Sequence, residues 1–358
     1  MVKKYNFYAG PAILPQEVMK KAQEELLDLN GIGLSILEIS HRSKDFDAVI
    51  TTAEAKIRSL LGVPENYAVM FLQGGASLQF GMLPMNLLIG KKADYVHTGA
   101  WAKKAIKEAK LFGTVNVAGS SEDKNFSYIP GDLNLSADAQ YVHITSNETI
   151  GGIQWAKFPE TGGVPLVIDM SSDIFSRRID FKNIGMIYAG AQKNIGPAGV
   201  TLVIMRNDLV EVCSEGLTTM LSYKTHAKEK SLYNTPPCFA IYIIKLVMDW
   251  IEAQGGLAAV EKVNEEKART IYDAIDNSNG YYKGTAETKD RSKMNVTFRL
   301  PSEELEEKFV DEAKKAGFIG LKGHRSVGGC RASIYNAMGL EGVRALVQFM
   351  EKFAKENK

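Results

Sequence analysis

Cysteine is scarce in this chain. Three occur among 358 residues, Cys213, Cys238 and Cys330, far apart and never as C-x-x-C. That pattern argues against a disulfide framework or a structural zinc site, no metal is expected, and a reducing cytoplasm fits best. An excess of one charge is missing too: Lys plus Arg is 43 and Asp plus Glu is 42. Nothing in that balance suggests affinity for nucleic acid or membrane, so any anionic ligand must be captured by local basic clusters. Long apolar runs are absent. The most apolar helical stretch, residues 240–251, is interrupted by Lys245 and Asp249 and is too short and too charged to span a bilayer. The opening Met1-Val2-Lys3-Lys4-Tyr5-Asn6-Phe7 has lysines with no apolar signal core behind them. No G-x-G-x-x-G follows a predicted strand, the Walker spacing is missing, and no internal repeat is visible.

What is present is an alternation of apolar strands and amphipathic helices. Strands are predicted at 67–72, 93–98, 114–118, 140–145, 164–169, 186–190 and 200–205. Most are apolar throughout, which predicts an α/β fold: a mostly parallel seven-stranded sheet covered by helices on both faces. Helices are expected near Pro15, at 46–61, at 78–88 with Pro84 kinking or breaking it, and at 101–112. A long helix follows Pro236-Pro237, and another begins near Leu257. The length suits two domains. We divide the chain into an N-terminal arm (1–15), a large domain (16–255) and a smaller α+β domain (256–358), with Gly255-Gly256 at the joint. In the small domain, Ser302-Glu303-Glu304 places a cap and acids at a helix start.

One segment stands out. Residues 186–199, MIYAGAQKNIGPAG, run from a strand into a small-residue turn, a lone Lys193 and a Gly-Pro-Ala-Gly return to the next strand. A lysine between two core strands is poorly placed for solubility and well placed for covalent chemistry, because a desolvated amine loses its proton and becomes a nucleophile. That points to a Schiff-base lysine, and pyridoxal phosphate is the cofactor that most often needs one.

Open α/β sheets bind ligands at the carboxyl ends of their strands. Asp169 ends the run Val164-Pro165-Leu166-Val167-Ile168 and can keep a pyridine nitrogen protonated; alone it would read as a turn or a cap. Asp173 is a rival placed past the strand end. Gln73-Gly74-Gly75-Ala76-Ser77 stands between a strand and a helix, where backbone N–H groups receive an anion. Trp101 follows a strand and a Gly-Ala turn and can stack on a ring. Asn147-Glu148-Thr149 is either a plain polar turn or the source of a Thr149 hydrogen bond to the ring hydroxyl. Two basic clusters, Ser40-His41-Arg42-Ser43-Lys44 and Lys322-Gly323-His324-Arg325 with Arg331, suit carboxylates and phosphates. On a strand, Arg331, Ser333 and Tyr335 share one face, which aims Arg331 into a cleft between domains.

Together these segments resemble the phosphoserine aminotransferase family, within class V of the fold-type-I pyridoxal phosphate enzymes. The matching motifs include Asn6-Phe7 with Ala9-Gly10-Pro11-Ala12, Ser40-His41-Arg42, Gln73-Gly74-Gly75 and Asn147-Glu148-Thr149. Residues 189–199, Tyr233-Asn234-Thr235-Pro236-Pro237, Lys322-Gly323-His324-Arg325 and 328–337 complete them, in the family's order along nearly the whole chain. The resemblance implies transfer of an amino group between L-glutamate and 3-phosphohydroxypyruvate in serine biosynthesis. It leaves open whether 4-phosphohydroxy-L-threonine is also a substrate. It implies Lys193 as the Schiff-base residue, Asp169 on the pyridinium, Trp101 on the ring and Thr149 on the phenolic oxygen. Ala76, Ser77 and Gln192 would hold the phosphate, joined by Asn234 and Thr235 from the second subunit of a homodimer. Arg42 and Arg331 would bind substrate carboxylates; His41, His324 and Arg325 would recognise the substrate phosphate. Some members carry arginine where this chain has Ser77 and serine where it has Ala9. Two rivals remain: a cysteine desulfurase, for which Cys330 is the candidate thiol, and a non-catalytic binder of phosphorylated metabolites.

Overall fold

The computed structural model describes residues 4–357; Met1, Val2 and Lys3, part of the expected arm, lie outside them. The first half of the chain comprises β1 (Tyr5–Asn6), α1 (Gln16–Glu24), α2 (Lys44–Leu61), β2 (Tyr67–Leu72), α3 (Gly75–Leu87), β3 (Lys92–His97), α4 (Ala100–Ala109), β4 (Thr114–Ser120), β5 (Val142–Thr145), β6 (Asn147–Glu148), β7 (Ile153–Gln154) and β8 (Leu166–Asp169). It continues with β9 (Ile184–Gly190), β10 (Thr201–Arg206), α5 (Asn207–Glu211), α6 (Tyr223–Lys228), α7 (Cys238–Ala253) and α8 (Gly256–Asp276). The remainder is β11 (Lys283–Gly284), β12 (Asn295–Arg299), α9 (Glu303–Lys315), β13 (Phe318–Ile319), β14 (Cys330–Ser333) and α10 (Leu340–Glu356).

Seven strands form the main sheet in the order β2-β10-β9-β8-β5-β3-β4. Neighbours are parallel except where β10 pairs with β2 and β9. The apolar runs have this cause. Both β8 and β9 are buried along their whole length, so neither face of either strand needs polar residues. Along β9, Ile187 and Ala189 enter one core with Leu202 and Ile204; Met186 and Tyr188 enter the other with Val203 and Met205. The α2 helix, capped by Ser43 Oγ accepting from Phe46 N, packs against α7 on the first core. No helix among the described residues is long and apolar enough to cross a membrane.

The α3 helix differs from expectation. It starts at Gly75 and runs through Pro84 without a break. Proline costs about 3 kcal/mol inside a helix, but Phe80, Met82, Leu83 and Leu87 bury α3 against the sheet, and that packing outweighs the lost hydrogen bond.

A second core gathers the C-terminal half of α8 with α9 and α10 over the antiparallel sheet β11-β12-β14, while Leu257 and Val260 at the start of α8 pack in the first core. The N-terminal arm belongs to it. The β1 strand pairs in parallel with β13, and Phe7 is fully buried among Phe298, Phe309 and Phe318. The arm then runs back to the main sheet, where Ala12 N donates to Gln192 O at 2.9 Å.

From β3 the chain passes to β4 on one side and to β5 on the other. Sheets open a crevice at such a reversal, beyond the carboxyl ends of the strands. The loops after β3 and β5 therefore lie side by side, next to the ends of β8 and β9.

Phe7→Ala should remove about 3–5 kcal/mol of stability, read as a lower urea midpoint. An unchanged midpoint would show that the arm is not part of this core.

Candidate active site

Lys193 sits three residues beyond the end of β9, in the turn that returns as β10. Its Nζ donates to Thr149 Oγ1 at 2.7 Å and stands 5.0 Å from the centre of the Trp101 ring. Gly10 lies against it: a Cβ there would meet Lys193 Cγ at 3.1 Å. The residue keeps some exposed surface, yet its amine is stripped of water. Burial, helped by the nearby Arg331, pushes the ammonium down to about 8 against the upward pull of the Asp169 and Glu148 carboxylates.

Asp169 ends β8, alongside Tyr188 of β9. It is buried, and Ser171 donates to its Oδ1 twice, from N at 2.9 Å and from Oγ at 2.6 Å. Its Oδ2 has no hydrogen-bond donor among the described residues. Burial raises this carboxyl above its ordinary value, and Lys193 and Ser171 oppose the shift. Asp173, the rival, is buried at the head of a structural network, accepting from Ser146 Oγ and from Gln154 Nε2 at 3.0 Å.

Trp101 lies in the first turn of α4, its indole Nε1 buried without a hydrogen-bond partner among the described residues. Thr149 is buried just past the two-residue strand β6. Ala76 and Ser77 occupy the first turn of α3, whose start has no side-chain cap, so its backbone N–H groups are available to an anion. The Gln192 side chain folds over Gly190, where a Cβ would meet its Oε1 at 2.7 Å.

Arg331, on β14, crosses from the other core: its Nη1 donates to Thr149 O at 3.3 Å. It also lines a cleft of about 600 Å³ with His324, Lys124, Lys283 and Arg299. His324 Nδ1 lies 2.7 Å from Ser326 Oγ, and burial with the nearby Arg331, Arg325 and Lys104 lowers its pKa. Arg325 is exposed on the same loop.

The remaining candidates form a second cluster. His41 Nδ1 lies 3.3 Å from Thr235 Oγ1, His41 Nε2 accepts from Arg42 Nε at 3.3 Å, and Asn234 adjoins Thr235. No hydrogen bond among the described residues joins this cluster to Lys193. The sequence reading passed over two supporting residues. Ser171 has no role in it, and Glu148 enters only as part of a polar turn, although Glu148 is 1% exposed. Its neighbours Ser146, Asn147 and Thr149 are themselves polar, so the local pattern does not mark Glu148 as buried.

Cys330, the thiol a desulfurase would need, is buried in β14, and burial raises it well above the usual thiol value. It is an inert core residue.

The arrangement is a desolvated amine between an aromatic ring, a hydroxyl and a buried carboxylate, at the carboxyl edge of a parallel sheet. Comparison places it. The family pattern described as Aminotransferase class-V matches residues 4–346, and the chain belongs to that family. A phosphoserine aminotransferase of Desulfosudis oleivorans is 60% identical over 356 residues, which is 99% of this chain and 98% of that one. Among solved structures, a phosphoserine aminotransferase from Bacillus circulans subsp. alkalophilus matches with a TM-score of 0.98 at 55% identity, covering 99% of both chains. A PLP-bound phosphoserine aminotransferase from Trichomonas vaginalis matches with a TM-score of 0.92 at 40% identity, covering 98% of this chain and 100% of the other.

The state of Lys193 gives a pH prediction for the cofactor-free protein. The neutral amine fraction rises with pH through about 8, whereas an ordinary lysine stays charged to about 10.4. Trinitrobenzenesulfonate labelling of Lys193, followed by peptide mapping, should show a midpoint near the lower value. A midpoint near the ordinary one would mean the amine is solvated.

Proposed function

We infer that this chain is a pyridoxal phosphate-dependent transaminase. It moves the amino group between L-glutamate and 3-phosphohydroxypyruvate, giving O-phospho-L-serine and 2-oxoglutarate. Beyond family membership, one observation carries the reading: the buried Lys193 amine stands 5.0 Å from the centre of the Trp101 ring and 2.7 Å from Thr149 Oγ1.

The residues present fit the cofactor. Asp169 keeps one oxygen open for a pyridinium N–H, Trp101 offers a ring face, and Thr149 offers a hydroxyl. The uncapped start of α3, with Ala76 and Ser77, and the nearby Gln192 suit a phosphate. When bound, pyridoxal phosphate supplies a protonated ring that accepts the electron pair left as a substrate Cα–H bond breaks. Asp169 holds that ring protonated by placing a buried negative charge at its nitrogen. Lys193 Nζ takes the proton from Cα and later returns it. Trp101 fixes the plane in which these groups meet. Arg331 binds the substrate carboxylate, positioned by its bond to Thr149 O. His324, which lines the same cleft as Arg331, and Arg325, on the same loop, receive the distal anion, the glutamate γ-carboxylate or the phosphate.

The second cluster belongs to a neighbouring site in a homodimer. Asn234 and Thr235 of each copy complete the other copy's cofactor phosphate site, and His41 and Arg42 its substrate pocket. The exposed Leu27, Leu34 and Leu37 lie just before His41, and a second copy would cover them. A cytoplasmic setting suits the three free cysteines.

Lys193→Ala should abolish both turnover and the visible absorbance of the bound cofactor, measured on the purified protein. Retention of both would disprove its role. Arg331→Ala should raise KM for glutamate and for phosphoserine together; if one alone moved, Arg331 would not be the shared carboxylate group.

A further inference from the structure

We propose that Glu148 is a positioning residue of this site: its buried carboxylate caps the start of α4 and thereby fixes Trp101 relative to Thr149 and Lys193. The inference rests on the pyridoxal phosphate reading above.

The α4 helix has no cap of its own. Its N-cap residue is Gly99, which has no side chain to accept a bond. The N–H groups of the first turn need an acceptor, and an N-cap side chain ordinarily serves those at the second and third helical positions. The third position is Ala102, and its N–H donates to Glu148 Oε1 at 3.1 Å. The acceptor comes from 46 residues away. Glu148 supplies from β6 what the local sequence omits.

Gly99 gives independent support. Its φ is 160°, extended backbone that any residue adopts, so no left-handed turn calls for glycine there. Space does. A Cβ at position 99 would lie 2.6 Å from the Glu148 carboxyl carbon and 2.7 and 2.9 Å from its oxygens. The glycine and the acid are two halves of one arrangement.

Glu148 is held firmly enough to transmit position. Its backbone pairs with Ile153 across the β6–β7 hairpin, and its carbonyl accepts from Gly152 N at 2.8 Å. Thr149, the next residue, carries the hydroxyl that meets Lys193. One short segment thus touches both the lysine and the helix that carries the indole. Glu148 Oε2 is buried with no hydrogen-bond partner among the described residues, an expensive state for a carboxylate. Burial raises this carboxyl to about 7.

The test is titration of the cofactor-free protein with pyridoxal phosphate, reading affinity by absorbance and ring orientation by the induced circular dichroism of the bound cofactor. The unsubstituted protein is the control. If it fails to bind, the cofactor reading falls, whatever Glu148 does. Glu148→Ala should weaken binding about tenfold, the scale of a lost helix cap, and diminish the dichroic band at saturation. Glu148→Gln retains an acceptor oxygen and should stay within about threefold of the parent. Gly99→Ala should weaken binding in the parent but add nothing to Glu148→Ala, because the clash disappears with the carboxylate. Parental affinity and dichroism in Glu148→Ala would overturn the proposal, as would a glutamine variant as impaired as the alanine one. Should the alanine variant not fold, parental affinity in Gly99→Ala overturns it instead.

Discussion

The site depends on keeping one amine out of water. In bulk solvent Lys193 would stay protonated and unreactive at neutral pH. The fold weakens that hold on the proton by setting the amine at the carboxyl edge of the main sheet, where burial lowers its pKa. Burial alone would depress the ammonium below about 8; Asp169 and Glu148 restrain the fall. The geometry separates attraction from pairing. Neither carboxylate forms a salt bridge with Nζ, whose hydrogen bond goes to neutral Thr149. An ion pair would have locked the proton on the amine. Two acids nearby but out of contact tune it instead.

The second constraint is the placement of Arg331, which comes from a different core. A chain of buried polar groups spans the gap. Asn147 Nδ2 donates to Ser172 Oγ and to Asn295 Oδ1, each at 2.8 Å, and Ser292 Oγ donates to Asn147 Oδ1 at 2.5 Å. Asn295 Nδ2 continues to Ser333 Oγ at 2.9 Å and Tyr335 OH at 3.2 Å, and Tyr335 OH donates to Ala9 O at 2.8 Å. Apolar packing across this gap would tolerate small slides. Satisfied directional bonds in a dry interior do not. The seam ties three parts of the chain together: the segment before Glu148 and Thr149, the strand carrying Arg331, and the arm that passes Lys193.

Much of this was legible in the sequence, and for identifiable reasons. All seven strands of the main sheet stood out, and for every one but the edge strand β4 the reason is burial on both faces, which leaves mostly apolar runs. Lys193 stood out for the converse reason, a charge between two such runs. The face shared by Arg331, Ser333 and Tyr335 followed from strand alternation, and Asn295 touches both Ser333 and Tyr335. Pro84 misled because propensity acts locally while α3 is held by its surroundings. The two-residue strands β1, β6, β7, β11 and β13 are too short to show a period. The bond between Glu148 and Ala102 and the contact of His41 with Thr235, 194 residues apart, need tertiary structure to exist at all. No spacing encodes them.

The same distinction bears on how one pocket accepts two distal anions. Both substrates carry a carboxylate next to the reacting carbon, and they differ at the far end. On the proposed reading the near group should meet a fixed partner and the far group an adaptable one. Arg331 has the first character: its strand pairs with β12, and its guanidinium is bonded to Thr149 O. His324 and Arg325 have the second, on a largely exposed loop held at one end by Arg299 Nη1 donating to Val327 O at 3.0 Å, while His324 Nδ1 accepts from Ser326 N of the same loop at 3.2 Å. Arginine and histidine suit both a planar carboxylate and a tetrahedral phosphate, provided the loop is free to adjust. Rigidity is therefore concentrated where the chemistry repeats, on the lysine, the aspartate, the indole and one arginine. Tolerance is left at the end of the cleft where the two substrates differ.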